Sequence, residues 1–400
     1  MKRKTNQKDT PVRSNEPLVF NAAQSWQRLQ RSDLPFGQDL EDHFQDLYRR
    51  FLDELMIYDR QNHLQVKPYQ RQKHRRDQAN GFYRRSLTSS FGTVELHVPR
   101  TRSGQFQTQV LKRYQRRTGT VDQAIKQVFL SGVSTRQTGA ALAGLLGDRV
   151  SAATVSNVSK ILDEQVRQWH FRSLRDHYEY LLFDGVSVRI RLAGQVKRRM
   201  VLCAYGITHK GQRELIDFLI VKTESEDHWK TFCLDLHRRG LKGAALQLIT
   251  TDGHPGLDKA LHYTWPRAAH QRCWAHKLRN LENKLKESQR PCLEQAKALY
   301  QAAHRKEALK RFQAWKEQWK PEAPKAVGCL EEDLEAMLAF FDCPKGRWIK
   351  VRTTNIIERA FVEVRRRIRT MCSFTTQSSC ERILYSVFNR MNSNWEKRPL

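Results

Sequence analysis

No apolar run in the 400-residue chain approaches the roughly 20 residues needed to cross a bilayer, so no membrane partner is expected. The opening MKRKTNQKDTPVR is basic but has no apolar core after it, and does not read as a secretory signal. Eight cysteines, at 203, 233, 273, 292, 329, 343, 372 and 380, include no CxxC pair. Their scatter fits free thiols in a reducing cytosol rather than a disulfide framework. Internal repeats are absent. Acids are scarce against bases: 42 Asp and Glu face 71 Lys and Arg, for a formal net charge of +29. An excess that large points to an extended polyanion, most simply nucleic acid, because clustered cations release counterions from phosphates. What is present is otherwise globular: 39% hydrophobic and 10% aromatic residues, in a chain long enough for two or three domains.

Residues 1–40 are polar, contain Pro11, Pro17 and Pro35, and read as a flexible basic arm. LEDHFQDLYRRFLDEL, from 40 to 55, has apolar residues at helical spacing. It opens a basic, DNA-contacting region at 41–120, where FGTVELHVPR alternates like a strand. Interleaved Tyr, Phe and Arg there suit base stacking and phosphate contact, although a solvated face over a few core aromatics reads the same way. Residues 121–170 form the next unit. One helix ends near Ser131-Gly132, a second runs from the N-cap candidate Ser134 to about Leu146, Gly147-Asp148 breaks it, and a third starts at Ser151. Helix, short turn, then a helix with Thr154, Ser156 and Asn157 on its early turns is the helix-turn-helix pattern. Arg136 and Lys160 favour DNA contact over the alternative, an ordinary three-helix packing unit.

The texture changes at 171–278. YEYLLFDGVSVRIRL, RRMVLCAYGITHKGQ and RELIDFLIVK read as consecutive strands, followed by the amphipathic helix SEDHWKTFCLDLHRRGL, the short strand LQLITT and the helix HPGLDKALHYTW. Three strands, helix, strand, helix is the order of an RNase H-like α/β core, a mixed sheet flanked by helices. Residues 279–345 read as an all-helical insertion. The core then closes with helices near 354–370 and 376–395, within 346–400.

Asp184 follows the apolar run LLF and precedes Gly185; Asp252 follows LQLITT and precedes Gly253. In the expected sheet the first and fourth strands are neighbours, so these acids would sit side by side. Two such carboxylates repel unless a cation neutralises them, and Mg²⁺ suits hard oxygen ligands while keeping positions for phosphate and water. A third carboxylate from a later helix would complete a two-metal site for phosphoryl transfer. Glu358 is the candidate, with Phe361 and Val362 as apolar anchors on its face and Arg365 and Arg369 further along the stripe. Glu363 lies about 140° round the helix from Glu358 and reads as solvated or paired with Arg359 or Arg367. Either strand-end Asp alone could be a turn former; their matched context argues for a pair.

The stretches NGFYRRSLTSSFGTVELHVPR, STRQTGAALAGLLGDRVSAATVSNV, LLFDGVSVRIR, TTDGHPGLDKAL, HQRCWAHKLRNL and TTNIIERAFVEVRRRIRTMCSF occur in that order over roughly 80–375. Together they resemble the Mutator-type bacterial transposases of insertion sequences. The resemblance implies an RNase H-like fold with a helical insertion, and an Asp, Asp, Glu triad mapping onto Asp184, Asp252 and Glu358 as catalytic and metal-binding residues. It implies two Mg²⁺ ions (Mn²⁺ as a substitute), binding of terminal inverted repeats, 3′-end cleavage and strand transfer. Double-stranded DNA is then the partner, with a homodimer or larger assembly on it, in a bacterial cytoplasm at the nucleoid. Cys273 and His276 match a Cys/Asp-x-x-His signature of such enzymes and, with Asn355, become accessory active-site residues. Read alone, CxxH is half of a zinc site with no second half, or simple packing. Arg136, Thr154, Ser156, Asn157, Lys160, Arg365, Arg366 and Arg369 are the expected DNA contacts. Ile356-Ile357 and Ala360-Phe361 depart modestly from the family pattern without removing an acid.

Overall fold

The computed structural model describes residues 22–31, 36–65, 76–131, 133, 135–146, 150–369 and 373–400. The expected cap Ser134 and break Gly147-Asp148 lie outside the described residues, as does most of the arm. The chain forms two compact units, Met1–Ser159 and Lys160–Leu400. Among the described residues no helix is long and apolar enough to cross a membrane, and the seven described cysteines are free thiols.

The first unit contains α1 (Ala22–Gln30), α2 (Phe36–Leu64), β1 (Ala79–Ser89), β2 (Gly92–Thr101), α3 (Gly119–Leu130), α4 (Thr135–Leu146) and α5 (Ala152–Ser159). Part of the stretch read as an arm is therefore helical. Helix α2 outruns its expected end because its stripe continues: Leu52 and Met56 are buried against the hairpin residues Leu87, Val94, Leu96 and Val98, and Leu64, two turns beyond Met56, is buried as well. Arg60, on the same stripe, spends its charge on the carbonyls of Gly81 and Arg100. Strand β1 escaped the sequence reading since its faces are mostly polar and exposed. Pairing with β2, for example Leu87 opposite Val94, makes it a strand. Helices α3, α4 and α5 share a small core of Val121, Ile125, Phe129, Leu142, Leu146, Val155 and Val158.

The second unit opens with α6 (Ile161–Phe171) and β3 (Tyr178–Leu192), β4 (Gln195–Thr208) and β5 (Arg213–Val221). Then follow α7 (Glu226–Arg238), β6 (Leu248–Thr251), α8 (Pro255–Thr264) and β7 (Ala269–Arg272). These strands form one mixed sheet in the order β5-β4-β3-β6-β7. β3, β4 and β5 are antiparallel; β6 runs parallel to β3, and β7 parallel to β6. Strand alternation divides β3 between two layers. Leu181 and Phe183 join the core beneath α7 and α8, whereas Tyr180, Leu182, Val188 and Ile190 join the larger core on the opposite face. That larger core takes in α9 (Trp274–Glu282), α10 (Arg290–Lys297), α11 (Arg305–Trp319), α12 (Pro324–Glu332), α13 (Leu334–Leu338), α14 (Trp348–Val351), α15 (Asn355–Ile368) and α16 (Gln377–Glu396).

Strand β7 was not legible: AHQR is short and polar. It exists because Gln271 is buried and bonded at both ends, its Nε2 donating to Met337 O (3.1 Å) and its Oε1 accepting from Phe340 N (2.8 Å). On the same strand His270 stacks on His262 with centroids 4.0 Å apart. Burial, aided by the His262 and Arg272 charges, lowers its pKa from 6.5 to about 4. A histidine kept neutral in the fold contributes stability above pH 6.5 that is lost as pH falls toward about 4. His270→Gln is therefore expected to flatten the acid limb of a plot of urea midpoint against pH over that window; an unchanged limb would contradict it.

Candidate active site

Asp184 has the strand parity of Leu182, so its carboxyl belongs to the face covered by α15 and α16. One expectation needs correction here. β3 does not end at Asp184 but continues to Leu192, with Asp184 opposite Cys203 of β4. The opening comes from the other side, where β6 stops: its last registered pair with β3 is Leu182 with Thr250. Two residues beyond that pair on each chain come Asp184 and Asp252, which brings the two acids together at the end of the parallel ladder. Asp252 directly follows β6 and accepts the His254 amide on Oδ1 at 3.0 Å. Gly253 beside it has φ +95, a left-handed conformation suited to glycine. Gly185 leaves room for Glu224: a Cβ there would lie 2.9 Å from Glu224 Oε2.

Glu358 enters from the first turn of α15. That helix is anchored by Ile357, Ala360, Phe361 and Val364, all fully buried. Val362, expected as an anchor, is instead 54% exposed; three- and four-residue steps from Ile357 lead to Ala360, Phe361 and Val364, leaving Val362 on the outer face. Glu363 pairs with Arg367 at 2.9 Å.

The start of α9 is tied to the start of α15. Trp274 N donates to Arg352 O at 3.0 Å, and Thr354 N donates to Cys273 Sγ at 3.2 Å. This brings His276 to 3.6 Å from Glu358 Oε1, measured at Nε2. Arg279, three residues on, donates Nη1 to Glu358 Oε1 (2.8 Å) and Nη2 to Oε2 (3.1 Å). Ligand-type atoms of Asp184, His276 and Glu358 all lie within 4.8 Å of one another. Asp252 stands outside that group, with one oxygen on the His254 amide.

The electrostatics follow from crowding. Burial pushes the Asp184 carboxyl up to about 7; the His276 charge opposes this, and those of Asp252 and Glu358 add to it. Its Oδ2 is buried without a hydrogen bond, an orphaned acceptor of the kind a cation satisfies. His276 is raised to about 9, chiefly by its hydrogen bond to Cys273, against the cost of burial. Burial would raise the Cys273 thiol, but His276 and Thr354 outweigh it and the net shift is downward. The Arg279 fork holds Glu358 below the usual carboxylate range. Glu224 is pushed up by burial, and the Asp252 charge adds to this despite a hydrogen bond from Trp229 Nε1 at 2.9 Å.

Sequence reasoning missed Glu224, Arg279 and Thr354. Arg279 had a readable signal, lying three residues after His276 on one helix face; Glu224 is in a loop, and only folding brings it over Gly185. Asn355 is exposed at the first residue of α15, in a groove with Trp274, Tyr300 and Arg359. Arg365, Arg366 and Arg369 are exposed toward the end of α15. In the first unit Arg136 and Asn157 are exposed, on α4 and α5. Thr154 bonds its hydroxyl and amide to Ser151, the residue before α5, while Ser156 is half-buried on α5. Lys160 is exposed at the head of α6, in the second unit.

The sequence profile of the family described as "Transposase, Mutator family" matches residues 21–398. The chain is 32% identical to the transposase for insertion sequence element ISRM5 of Rhizobium meliloti, over 88% of this chain and 89% of that one. It is 34% identical to the transposase for IS256 in transposon Tn4001 of Staphylococcus aureus, over 86% and 88%. Identity to the transposase for IS905 of Lactococcus lactis is 30%, over 90% and 92%. With a profile spanning nearly its whole length and relatives aligned almost end to end, this chain belongs to the Mutator family of transposases.

Proposed function

We propose that the protein binds the terminal inverted repeats of an insertion sequence and catalyses metal-dependent 3′-end cleavage and strand transfer into target DNA. The observation that carries this reading is the convergence of Asp184, Asp252 and Glu358 at one end of the sheet, with a buried Asp184 oxygen lacking any partner. The strand order β5-β4-β3-β6-β7, antiparallel then parallel, supports an RNase H-like core, with the helices between β7 and α15 as its insertion.

Asp184, Asp252 and Glu358 would hold two Mg²⁺ ions, or Mn²⁺ in their place, and the donor set fits: hard carboxylate oxygens crowded enough to need a cation. Bound divalent ions would supply polarisation of the scissile phosphate and a lowered pKa for the attacking hydroxyl. The chain's own groups do the rest. Asp184, walled in by the sheet, gives the site one rigid carboxylate. His276 sits beside Glu358, where its positive charge faces the phosphate position. Arg365, Arg366 and Arg369 present a cationic helix end to the DNA backbone. In cleavage a water oxygen replaces the 3′ oxygen on phosphorus, leaving a 3′-hydroxyl and a 5′-phosphate; in transfer that 3′-hydroxyl replaces a target 3′ oxygen. One phosphodiester is exchanged for another in the second step, so no high-energy cofactor is needed. Two element ends must meet, which calls for a dimer or larger assembly. A strand-transfer assay with pre-cut ends tests the reading: Mg²⁺-dependent joined products are expected, and bound ends that are never joined would overturn it.

End recognition falls to the first unit. Helices α4 and α5 are assigned as the helix-turn-helix pair, with Arg136 and Asn157 toward DNA. A groove of about 830 Å³ along the hairpin is lined by Tyr83, Arg84, Arg85, Arg100, Arg113 and Arg116 among others, with no acid among its lining residues. Tyr114, also in its lining, is 80% exposed. This suits a phosphate backbone with an aromatic platform beside it. Replacing Arg100 and Arg113 together by Ala should lower the slope of log affinity against log salt by about two. An unchanged slope would remove the groove from the DNA path.

A further inference from the structure

Glu358 is already engaged. Both of its oxygens accept from the Arg279 fork, at 2.8 and 3.1 Å, so each has one lone pair on a guanidinium. One lone pair on each oxygen is taken and the negative charge is already neutralised, so the guanidinium and a divalent ion compete for the same carboxylate. The surroundings let Arg279 leave cheaply: its side chain is 53% exposed, and that of Glu358 is 30% exposed. The backbone beneath it does not move freely, because α9 is tied to α15 through Trp274–Arg352 and Thr354–Cys273. A long, half-solvated arm on a fixed mount is suited to exchanging partners. Guanidinium recognises phosphate with the same two-pronged geometry as carboxylate, and in this family of transposases the substrate is a phosphate chain.

We propose that Arg279 is a latch on the active site. In DNA-free protein it neutralises Glu358; when DNA arrives, a phosphodiester takes the guanidinium and frees Glu358 to bind a divalent ion. The inference rests on the metal-dependent reading above. Charge balance drives the exchange. With Arg279 in place the acids Asp184, Asp252, Glu224 and Glu358 are offset by Arg279 and His276. Once Arg279 turns to phosphate, the acids are under-compensated and their affinity for a cation rises. Arg365, which also draws on the Glu358 charge, lies exposed on α15 and adds to the attraction for the incoming strand. Metal and DNA then bind cooperatively, and each must raise the affinity for the other by the same factor.

The alternative is a permanent strut, an ion pair that holds α9 to α15 and stays closed on DNA. Free Mn²⁺ counted by electron paramagnetic resonance separates the two, using full-length protein with and without a terminal-repeat duplex, corrected for Mn²⁺ on the duplex alone. For the wild type, DNA is expected to raise Mn²⁺ affinity about tenfold. Arg279→Ala should bind Mn²⁺ about five- to tenfold more tightly than wild type without DNA, and gain little when DNA is added. Arg279→Lys, which keeps the charge but loses the fork, should fall between them. The latch is overturned if Arg279→Ala without DNA binds Mn²⁺ no better than wild type, or if DNA helps both equally. It is also overturned by a lowered urea midpoint with unchanged Mn²⁺ affinity, the mark of a strut. Asp184→Asn supplies the control: if it leaves Mn²⁺ binding intact, the metal reading fails and takes the latch with it. Loss of Mn²⁺ binding in Asp184→Asn beside a wild-type-like Arg279→Ala overturns the latch alone.

Discussion

Asp184→Asn is expected to abolish cleavage of element ends, by about 10³-fold or more, while leaving end binding nearly unchanged. Asparagine matches aspartate in size but offers one amide oxygen and no charge, so the proposed divalent ion would lose its most rigid ligand. The position lies in the second unit, in a sheet whose neighbours Leu182 and Phe183 are fully buried. Removing a charge from such a site does not threaten the fold; a neutral group costs less to bury than a carboxylate. Glu358→Gln should behave alike, cutting nothing and binding ends normally. Gel-shift and end-nicking assays on the same preparations give the measurement. Full cleavage by either variant with Mg²⁺ would sink the assignment of the three acids.

Trp274→Ala should have the largest effect on stability, a loss of about 3–5 kcal/mol in urea-induced unfolding of the second unit. The indole is 1% exposed; its Nε1 donates to Met337 O at 2.8 Å, and its ring meets Tyr300 at 5.0 Å. It stands at the first residue of α9, between Cys273 and the turn that carries His276 and Arg279. Truncation opens a large cavity and removes one of the two side-chain donors to the Met337 carbonyl, leaving only Gln271 Nε2. Trp274→Phe keeps most of the packing and should cost less, about 0.5–1.5 kcal/mol, through the lost indole hydrogen bond. If both variants lose under about 1 kcal/mol, the insertion is not held to the sheet through this residue.

Much of the second unit could be read along the chain. Strands β3 to β6 carry β-branched and aromatic runs, such as VLCAY in β4 and LITT in β6, and the expected succession of three strands, helix, strand, helix matches β3 through α8. The first unit was less legible. β1 is mostly polar and exposed, so no hydrophobic alternation betrays it; in the second unit β7 was hidden in the same way, four polar residues that hold together through Gln271 and the ladder to β6. Such elements have no local signal because partners distant in sequence make them strands.

By itself, the sequence determined the excess of cationic groups, the identity of Asp184, Asp252 and Glu358 as candidates, and the order of elements around them. These are local properties: charge counts, apolar periods and Asp-Gly pairs after apolar runs are written within a few positions of one another. The surroundings of those acids were decided by tertiary structure. Folding brought Glu224 over Gly185, set His276 and Arg279 against Glu358, and left Asp184 Oδ2 buried without a partner. Those groups are separated by tens of residues along the chain. Their meeting depends on where β6 stops beside β3 and on how α9 is tied to α15, and side-chain packing across layers sets both.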